Sequence, residues 1–300
     1  MATIEIESDN GDSALVSDRD GDYGDEGIEL DVSPTGMFST GYTMKTISGA
    51  FQIGGRQAGY DVPVRELTLP FNLYETDTQT IEETISRFRR MWGSAPFDLH
   101  NVRFKHTTEL SGLRWLNVYA SKEIGFSPQK DWNLQGFARA VVTATALNPM
   151  YESTMAQDSW SNPSAGEHVG SVTISNPTDQ RLWLEWTLDP ATSWRFPDFS
   201  FGNEKEIDDD WEINEFDDRM IVTPILTKKL SVMSDPMMDT YINEARADMS
   251  ALFNGVEPLF WVPPYTPPLQ VPVVCNGPAD ATITVTMRRF WSAEAGLEQP

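Results

Sequence analysis

Apolar and polar residues alternate with a period of two in several short segments of this chain, which limits it to folds made largely of half-buried β-strands. In the segment VPVRELTLPFNLYE, every second residue from Leu67 to Leu73 is apolar, and Val64 lies on or near the same face. The other segments predicted as strands are residues 3–7, 28–32, 50–53, 115–120, 137–147, 171–176, 182–188, 220–226 and 281–287. The chain is therefore expected to be mainly β with a few helices.

One helix is predicted around residues 80–92. Thr80 and Glu83 have the spacing of a capping box, in which two side chains satisfy the free N–H groups at a helix start. The apolar stripe Ile81, Ile85, Phe88 and Trp92 follows a helical period. We expect this helix to pack across a sheet.

A second helix is predicted near residues 235–253. Ser234 can cap it, and Pro236 suits its first turn. Apolar residues from Met238 to Leu252 recur at helical spacing, and Gly255 follows as a stop signal.

The chain is expected to form two domains, because 300 residues exceed what one core usually holds. The stretch 148–167 contains Pro149, Pro163, Gly166 and many small polar residues without a clear period, so residues 153–164 are predicted to be a linker. The predicted domains are residues 1–152 and 165–300, with an acidic segment at 1–31. Short strands between proline and glycine turns predict a β-sandwich or jelly roll in the second domain.

The formal net charge is −23, and two short stretches carry most of it. Residues 1–31 contain eleven acidic side chains and one arginine, and residues 204–218 contain nine acidic side chains and one lysine. Nucleic-acid binding requires a basic surface, so no nucleic-acid partner is expected. An anionic membrane would repel the chain, and no run of 18 apolar residues predicts membrane insertion.

The beginning of the chain lacks the basic and apolar segments of a secretion signal. The single cysteine, Cys275, cannot form an internal disulfide. Both features fit synthesis in a reducing cytosol, with later assembly into a particle still open.

No catalytic residue is predicted, so we expect a protein that is not an enzyme. The three histidines are His100, His106 and His168, and the first two would share one face of an unbroken strand. Two ligands do not complete a zinc site, so surface histidines are the preferred interpretation. The chain has neither a Walker loop nor the GxGxxG motif, and no cofactor is expected.

A calcium loop is one interpretation of the segment DRDGDYGDEGIE. Asp18, Asp20, Asp22 and Glu29 occupy the ligand positions 1, 3, 5 and 12 of such a loop. Tyr23 stands where the loop requires glycine, so a solvated acidic loop between two strands is the preferred interpretation. The second acidic stretch is interpreted in the same way, with a calcium-dependent surface or a docking strip for a basic partner as alternatives.

Six tryptophans follow residue 180, which raises the alternative of a carbohydrate-binding module. A flat, exposed indole can stack on a sugar ring, although core packing is the common use of tryptophan. Trp261 is the candidate for sugar stacking, because its neighbourhood FWVPPYTPP is loop-like.

Two stretches of the sequence together resemble the distal tail proteins of siphophages. The first is GAFQIGGRQAGYDVPVRELTLPFNLYETDTQTIEETISRFRRMWGS, which is similar to their N-terminal domain. The second begins NPTDQRLWLEWTLDPATSWRFPDFSFG and continues through RMIVTPIL, PLFWVPPYTPP and MRRFWSAEAGL. It is similar to the galectin-like C-terminal domain of minor tail proteins from phages of mycobacteria and related actinobacteria.

This resemblance implies a structural protein of the virion, located at the tail tip. The first domain would be a β-sandwich with one packed helix that forms a hexameric ring of identical subunits. The ring would join the tail tube protein to the tail-tip hub protein, near the tape measure protein. The galectin-like second domain would be a platform for receptor-binding proteins.

Overall fold

The computed structural model describes residues 2–18, 26–38, 40–93, 98–128, 130–199, 201 and 218–298. The chain divides into two compact units. The first contains the residues up to Ser153 together with Trp291–Leu297, and the second contains Thr154–Phe290. Residues 291–297 were predicted to belong to the second domain, but they return to the first unit.

Antiparallel strands form most of the first unit, as the period-two patterns predicted. The strands of this part of the chain are β1 (Thr3–Ser8), β2 (Ser13–Ser17), β3 (Ile28–Leu30), β4 (Thr43–Ile47), β5 (Arg56–Asp61), β6 (Arg65–Tyr74), β7 (Val102–Thr108), β8 (Gly112–Ala120), β9 (Gly125–Phe126), β10 (Phe137–Ala146) and β11 (Tyr151–Ser161). The pairing runs β2-β1-β7-β8 and β8-β10-β6-β3. Leu67, Leu69, Phe71 and Leu73 of β6 all point into the core, as expected from their spacing.

The predicted helix is α1 (Ile81–Trp92), and a short helix α2 covers Trp132–Gln135. The capping box of α1 is present, because the Thr80 hydroxyl accepts from the Glu83 N–H and the Glu83 carboxylate accepts from the Thr80 N–H. Phe88 of α1 packs edge-on against Phe71 of β6, with ring centroids 5.0 Å apart. The apolar stripe of the helix therefore covers the sheet, as predicted.

The second unit is a β-sandwich of antiparallel strands, as predicted. Its strands are β12 (Gly166–Asn176), β13 (Leu184–Leu188), β14 (Ser193–Pro197), β15 (Met220–Val222), β16 (Leu230–Met233), β17 (Tyr241–Asn243), β18 (Thr266–Gly277) and β19 (Thr282–Trp291). One sheet has the order β17-β16-β13-β19, and the other has β12-β18-β14-β15. Trp186 of the first sheet packs against Phe196 of the second at 5.3 Å, so the core lies between the sheets.

The helix predicted near residues 235–253 is wrong. The segment forms β17, turns and a 3₁₀ helix at Ser250–Phe253. Asp235 and Asn243 explain the difference, because their side chains accept hydrogen bonds from backbone N–H groups two to four residues further along. Such local bonds favour turns over a helix.

Two other local predictions were also wrong. Most of residues 153–164, predicted as a linker, lie in β11, and the chain passes from the first unit to the second within this strand. The segment 50–53, predicted as a strand, lies in the loop between β4 and β5. Among the described residues, no helix is both long enough and apolar enough to cross a membrane.

Candidate assembly surface

Strands β4 and β5 form a hairpin that pairs with no other strand in the described part of the chain. All five residues of β4 are exposed, and so are five of the six residues of β5. The register places Met44 opposite Tyr60, with a bulge after Lys45. Lys45 and Asp61 form an ion pair of 2.6 Å near the base of the hairpin. A two-stranded sheet by itself is marginally stable in water, so a partner surface would stabilise this hairpin.

The exposed side chains of the hairpin are unusually apolar. The strands and the residue before them expose more than half of four large apolar side chains, namely Tyr42, Met44, Ile47 and Tyr60. Single apolar residues on a surface are common, but a group of them on one element indicates an interaction site.

The tip of the hairpin is closed by two hydrogen bonds and exposes two further apolar side chains. Gln52 closes the loop on Gly49, because its N–H donates to the Gly49 carbonyl at 3.1 Å and its side-chain oxygen accepts from the Gly49 N–H at 3.1 Å. Phe51 and Ile53 are fully exposed. Phe51 has φ +68°, a left-handed conformation that an aromatic residue rarely adopts and that often accompanies function.

The residues of the predicted calcium loop are only partly described. Asp20 and Asp22 lie outside the described residues. Asp18 accepts a hydrogen bond from the Thr3 hydroxyl at 3.1 Å, and Glu29 accepts one from the Tyr74 hydroxyl at 2.7 Å. The described residues contain no group of three or more His, Cys, Asp or Glu placed to hold a metal. The calcium loop therefore stays a prediction.

The second acidic stretch lies outside the described residues except for Asp218. Its interpretation as a solvated loop, a calcium-dependent surface or a docking strip therefore stays a prediction. Trp211 belongs to the same stretch.

The structure separates the histidines that were expected to share a strand face. His100 precedes β7, and its Nδ1 lies 2.7 Å from a carboxylate oxygen of Asp9. His106 lies in β7 and is buried, contrary to the expectation of a surface residue. His168 Nε2 lies 3.1 Å from the Ser164 hydroxyl. These contacts bring no two histidines together.

Trp261, the sugar-stacking candidate, is buried rather than exposed. Its exposed fraction is 6%, and it packs edge-on against Trp183 at 5.4 Å. The Arg181 guanidinium covers its ring at 4.1 Å from the centroid. A sugar needs an open indole face, so this residue does not offer one in the present conformation.

Asp198 is a buried carboxylate in the second unit with a structural role. It pairs with Arg219 and accepts the N–H groups of Leu259 and Phe260. Burial raises the pKa of Asp198 to about 6, although Arg219 and the two N–H groups act in the opposite direction. Through these partners, Asp198 holds the loop at residues 257–260.

Cys275 is buried in the core of the second unit. Burial raises the pKa of its thiol to about 11. Because the thiolate is the reactive form, this cysteine is a packing residue.

Sequence reasoning did not identify the hairpin as a candidate assembly surface. A signal was present in residues 42–60, where Tyr42, Met44, Phe51, Ile53 and Tyr60 are apolar without a consistent period. Apolar residues that fit neither a helix nor a half-buried strand are candidates for contacts outside the fold.

The fold is similar to that of two solved phage proteins, whereas no protein-family model and no curated protein matches the chain. The Dit protein (gp 19.1) of phage SPP1, described as a paradigm of the hub adsorption apparatus in phages that infect Gram-positive bacteria, has 11% identity and a TM-score of 0.55. The similarity covers 97% of this chain and 99% of that one. A chain of the phage P2 baseplate in its activated conformation with Ca has 10% identity and a TM-score of 0.50, over 96% of this chain and 98% of that one.

These likenesses confirm the predicted resemblance to distal tail proteins at the level of the fold. The predicted location at the tail tip stays a prediction. The galectin-like character of the second unit stays a prediction.

Proposed function

We propose that this chain is a structural protein of a phage tail tip that assembles with copies of itself through the β4–β5 hairpin. The observation that carries the proposal is the hydrogen-bonded hairpin with Phe51 and Ile53 fully exposed at its tip. The nearly full-length likeness to a hub protein supports a structural role. We propose no catalytic role.

The assembly proposed is a ring of six subunits formed by the first unit. Its partners would be the tail tube protein, the tail-tip hub protein and the tape measure protein. The second unit would be the platform for receptor-binding proteins. A ring needs head-to-tail surfaces on each subunit, and an exposed hairpin can reach a neighbouring copy without changing the sandwich core.

The competing proposal, a carbohydrate-binding adhesion module, has less support. Its candidate residue Trp261 is buried and covered by Arg181. Binding of the full chain to a glycan array, lost in Trp261→Ala, would favour this alternative over the structural role.

The test is the assembly state of the double variant Phe51→Ser/Ile53→Ser. Burying these two side chains against a neighbour should contribute roughly 3–6 kcal/mol per subunit contact, or on the order of 10² to 10⁴ in the dissociation constant. Native mass spectrometry should therefore show closed oligomers for the wild type and mainly monomers for the variant. The thermal unfolding of the monomer should be unchanged, because both side chains are exposed within it.

Leu134→Ser is the matched control, because Leu134 is 86% exposed on α2 and lies outside the hairpin. It should assemble like the wild type. A wild-type chain that stays monomeric at all concentrations, or a double variant that assembles normally, would contradict the proposal.

Charge should control the same assembly. With a net charge of −23, free subunits repel one another, and salt screens that repulsion. Oligomers should therefore form at lower protein concentration as ionic strength rises. Assembly that is indifferent to salt would exclude charge as the control.

A further inference from the structure

The base of the β4–β5 hairpin is held by a buried arginine. Arg65, the first residue of β6, follows the hairpin in sequence, and Met37 and Thr40 precede it. The Arg65 guanidinium donates to the Met37 carbonyl at 3.0 Å and also to the Thr40 hydroxyl. The Tyr151 hydroxyl donates to the same Met37 carbonyl at 3.0 Å. These bonds join the two ends of the hairpin.

The same two side chains bind the C-terminal part of the chain. The carbonyl of Ser292 accepts hydrogen bonds from the Thr40 hydroxyl at 2.7 Å and from the Arg65 guanidinium at 2.9 Å. Arg65 is only 4% exposed, and burial lowers its pKa, so its charge depends on these oxygen acceptors. The backbone at residue 292 is thus part of the base of the hairpin.

A second buried arginine holds the rest of this C-terminal segment. Arg114 of β8 is fully buried and donates to the carbonyls of Ala293 at 2.9 Å and Gly296 at 2.8 Å. Its guanidinium lies 3.7 Å from the centroid of the Trp291 ring, a cation–π contact. The Gly296 N–H in turn donates to the Ser111 hydroxyl at 2.7 Å.

We propose that residues 291–297 are a strap that fixes the base of the hairpin, so that a chain presents its hairpin for assembly only after this segment has docked. Two buried guanidinium groups require its carbonyls, and removal of the strap would leave both charges without these acceptors. The proposal rests on the proposed function, in which the hairpin is the assembly surface.

Arg114→Met in the full-length chain is the first test, because Arg114 contacts the strap and is not part of the hairpin. Hydrogen exchange measured by mass spectrometry should become roughly tenfold or more faster at residues 292–297, and also faster at residues 37–42 and 62–65. The oligomer fraction at a fixed protein concentration should fall. Exchange in β6 after Arg65 and in β10, in the core of the first unit, should be unchanged, which shows that this unit is folded.

Arg103→Met is the matched control, since Arg103 lies on the neighbouring strand β7 with about half of its side chain exposed. It should change neither exchange nor assembly. Thr40→Val is a milder second variant that removes the hydroxyl between Arg65 and Ser292 and keeps the shape of the side chain. It should loosen the base of the hairpin and weaken assembly while the bonds of Arg114 to the strap remain.

The outcomes separate this proposal from the proposed function. Faster exchange in the strap with unchanged assembly would contradict the proposal that the strap regulates assembly. This conclusion would hold even if the Phe51→Ser/Ile53→Ser variant still fails to assemble. Unchanged exchange of residues 292–297 in Arg114→Met would overturn the role of the arginine. A wild-type chain that never assembles would instead refute the proposed function.

Discussion

Acid should destabilise the first unit through one buried histidine. The His106 ring is 1% exposed and lies between Phe104 at 5.2 Å and Tyr151 at 5.7 Å. Neither ring nitrogen has a hydrogen-bond partner among the described residues. Burial alone lowers the pKa of His106 from 6.5 to about 4, since a charged imidazolium loses its hydration there.

The sign and the size of the effect follow from this shift. The unfolded chain binds a proton at His106 near pH 6.5, whereas the folded chain does so only near pH 4. The stability that depends on a neutral His106 is therefore fully present above pH 6.5. It is lost progressively as the pH falls from 6.5 to about 4. The loss should reach roughly 3 kcal/mol, because one pKa unit corresponds to about 1.4 kcal/mol.

The assay compares the wild type with His106→Phe, which places an apolar ring between the same two aromatic neighbours. The free energy of unfolding of the first unit is measured between pH 7.5 and pH 4 by hydrogen exchange, corrected for the intrinsic rate at each pH. The carboxylates are common to both proteins, so the difference between the two curves isolates His106. The wild type should lose roughly 3 kcal/mol more than the variant over this range.

Phe88→Leu is the control, because it changes the packing of the same core without changing a titrating group or a ring that packs on His106. It should lower stability by a similar amount at every pH and keep the slope of the wild type. Parallel curves for the wild type and His106→Phe would refute the reasoning, since His106 would then not be held neutral by burial.

Three further predictions concern particular side chains. The folded-state pKa of Asp198 is about 6 rather than 3.8, so the second unit should gain stability as the pH falls from about 6 to about 4. Hydrogen exchange at residues 259–260, corrected for the intrinsic rate, should become slower over this range. Unchanged exchange would contradict the prediction. Thr80→Ala should lower the stability of the first unit by about 1 kcal/mol in chemical denaturation, and Thr80→Ser should retain most of it, because only the alanine removes the helix cap. Gly170→Ala would place a methyl group inside the van der Waals distance of the Trp160 ring and should destabilise the second unit by roughly 1–3 kcal/mol. Gly41→Ala, with nothing within 4 Å, should unfold like the wild type.

Sequence reasoning succeeded where the signal was local. Helix α1 carries its cap, its apolar stripe and its charge order within thirteen residues, and all of them agree. The strands β6, β8, β10 and β19 were predicted for the same reason, since each alternates over at least six residues.

Predictions failed where side-chain hydrogen bonds or contacts distant in sequence outweighed the local pattern. Residues 235–253 have helical spacing, but the Asp235 and Asn243 side chains bond to the backbone and favour turns. The return of residues 291–297 to the first unit has no local signal, because the groups that bind them lie far away in sequence.

The buried polar residues could nevertheless be recognised from the sequence, because they stand at inward-facing positions of strands in which apolar and polar residues alternate. Arg65, His106 and Arg114 each fall on the inward side of their strands, in register with apolar neighbours. A polar residue at such a position must find a partner or lose its charge. The two arginines bind carbonyls at the hairpin base and in the strap, and the histidine is held neutral. The inward-facing position of these residues is visible in the sequence. It could therefore have located the hairpin base, the strap site and the acid-sensitive position, although not the segments that meet there.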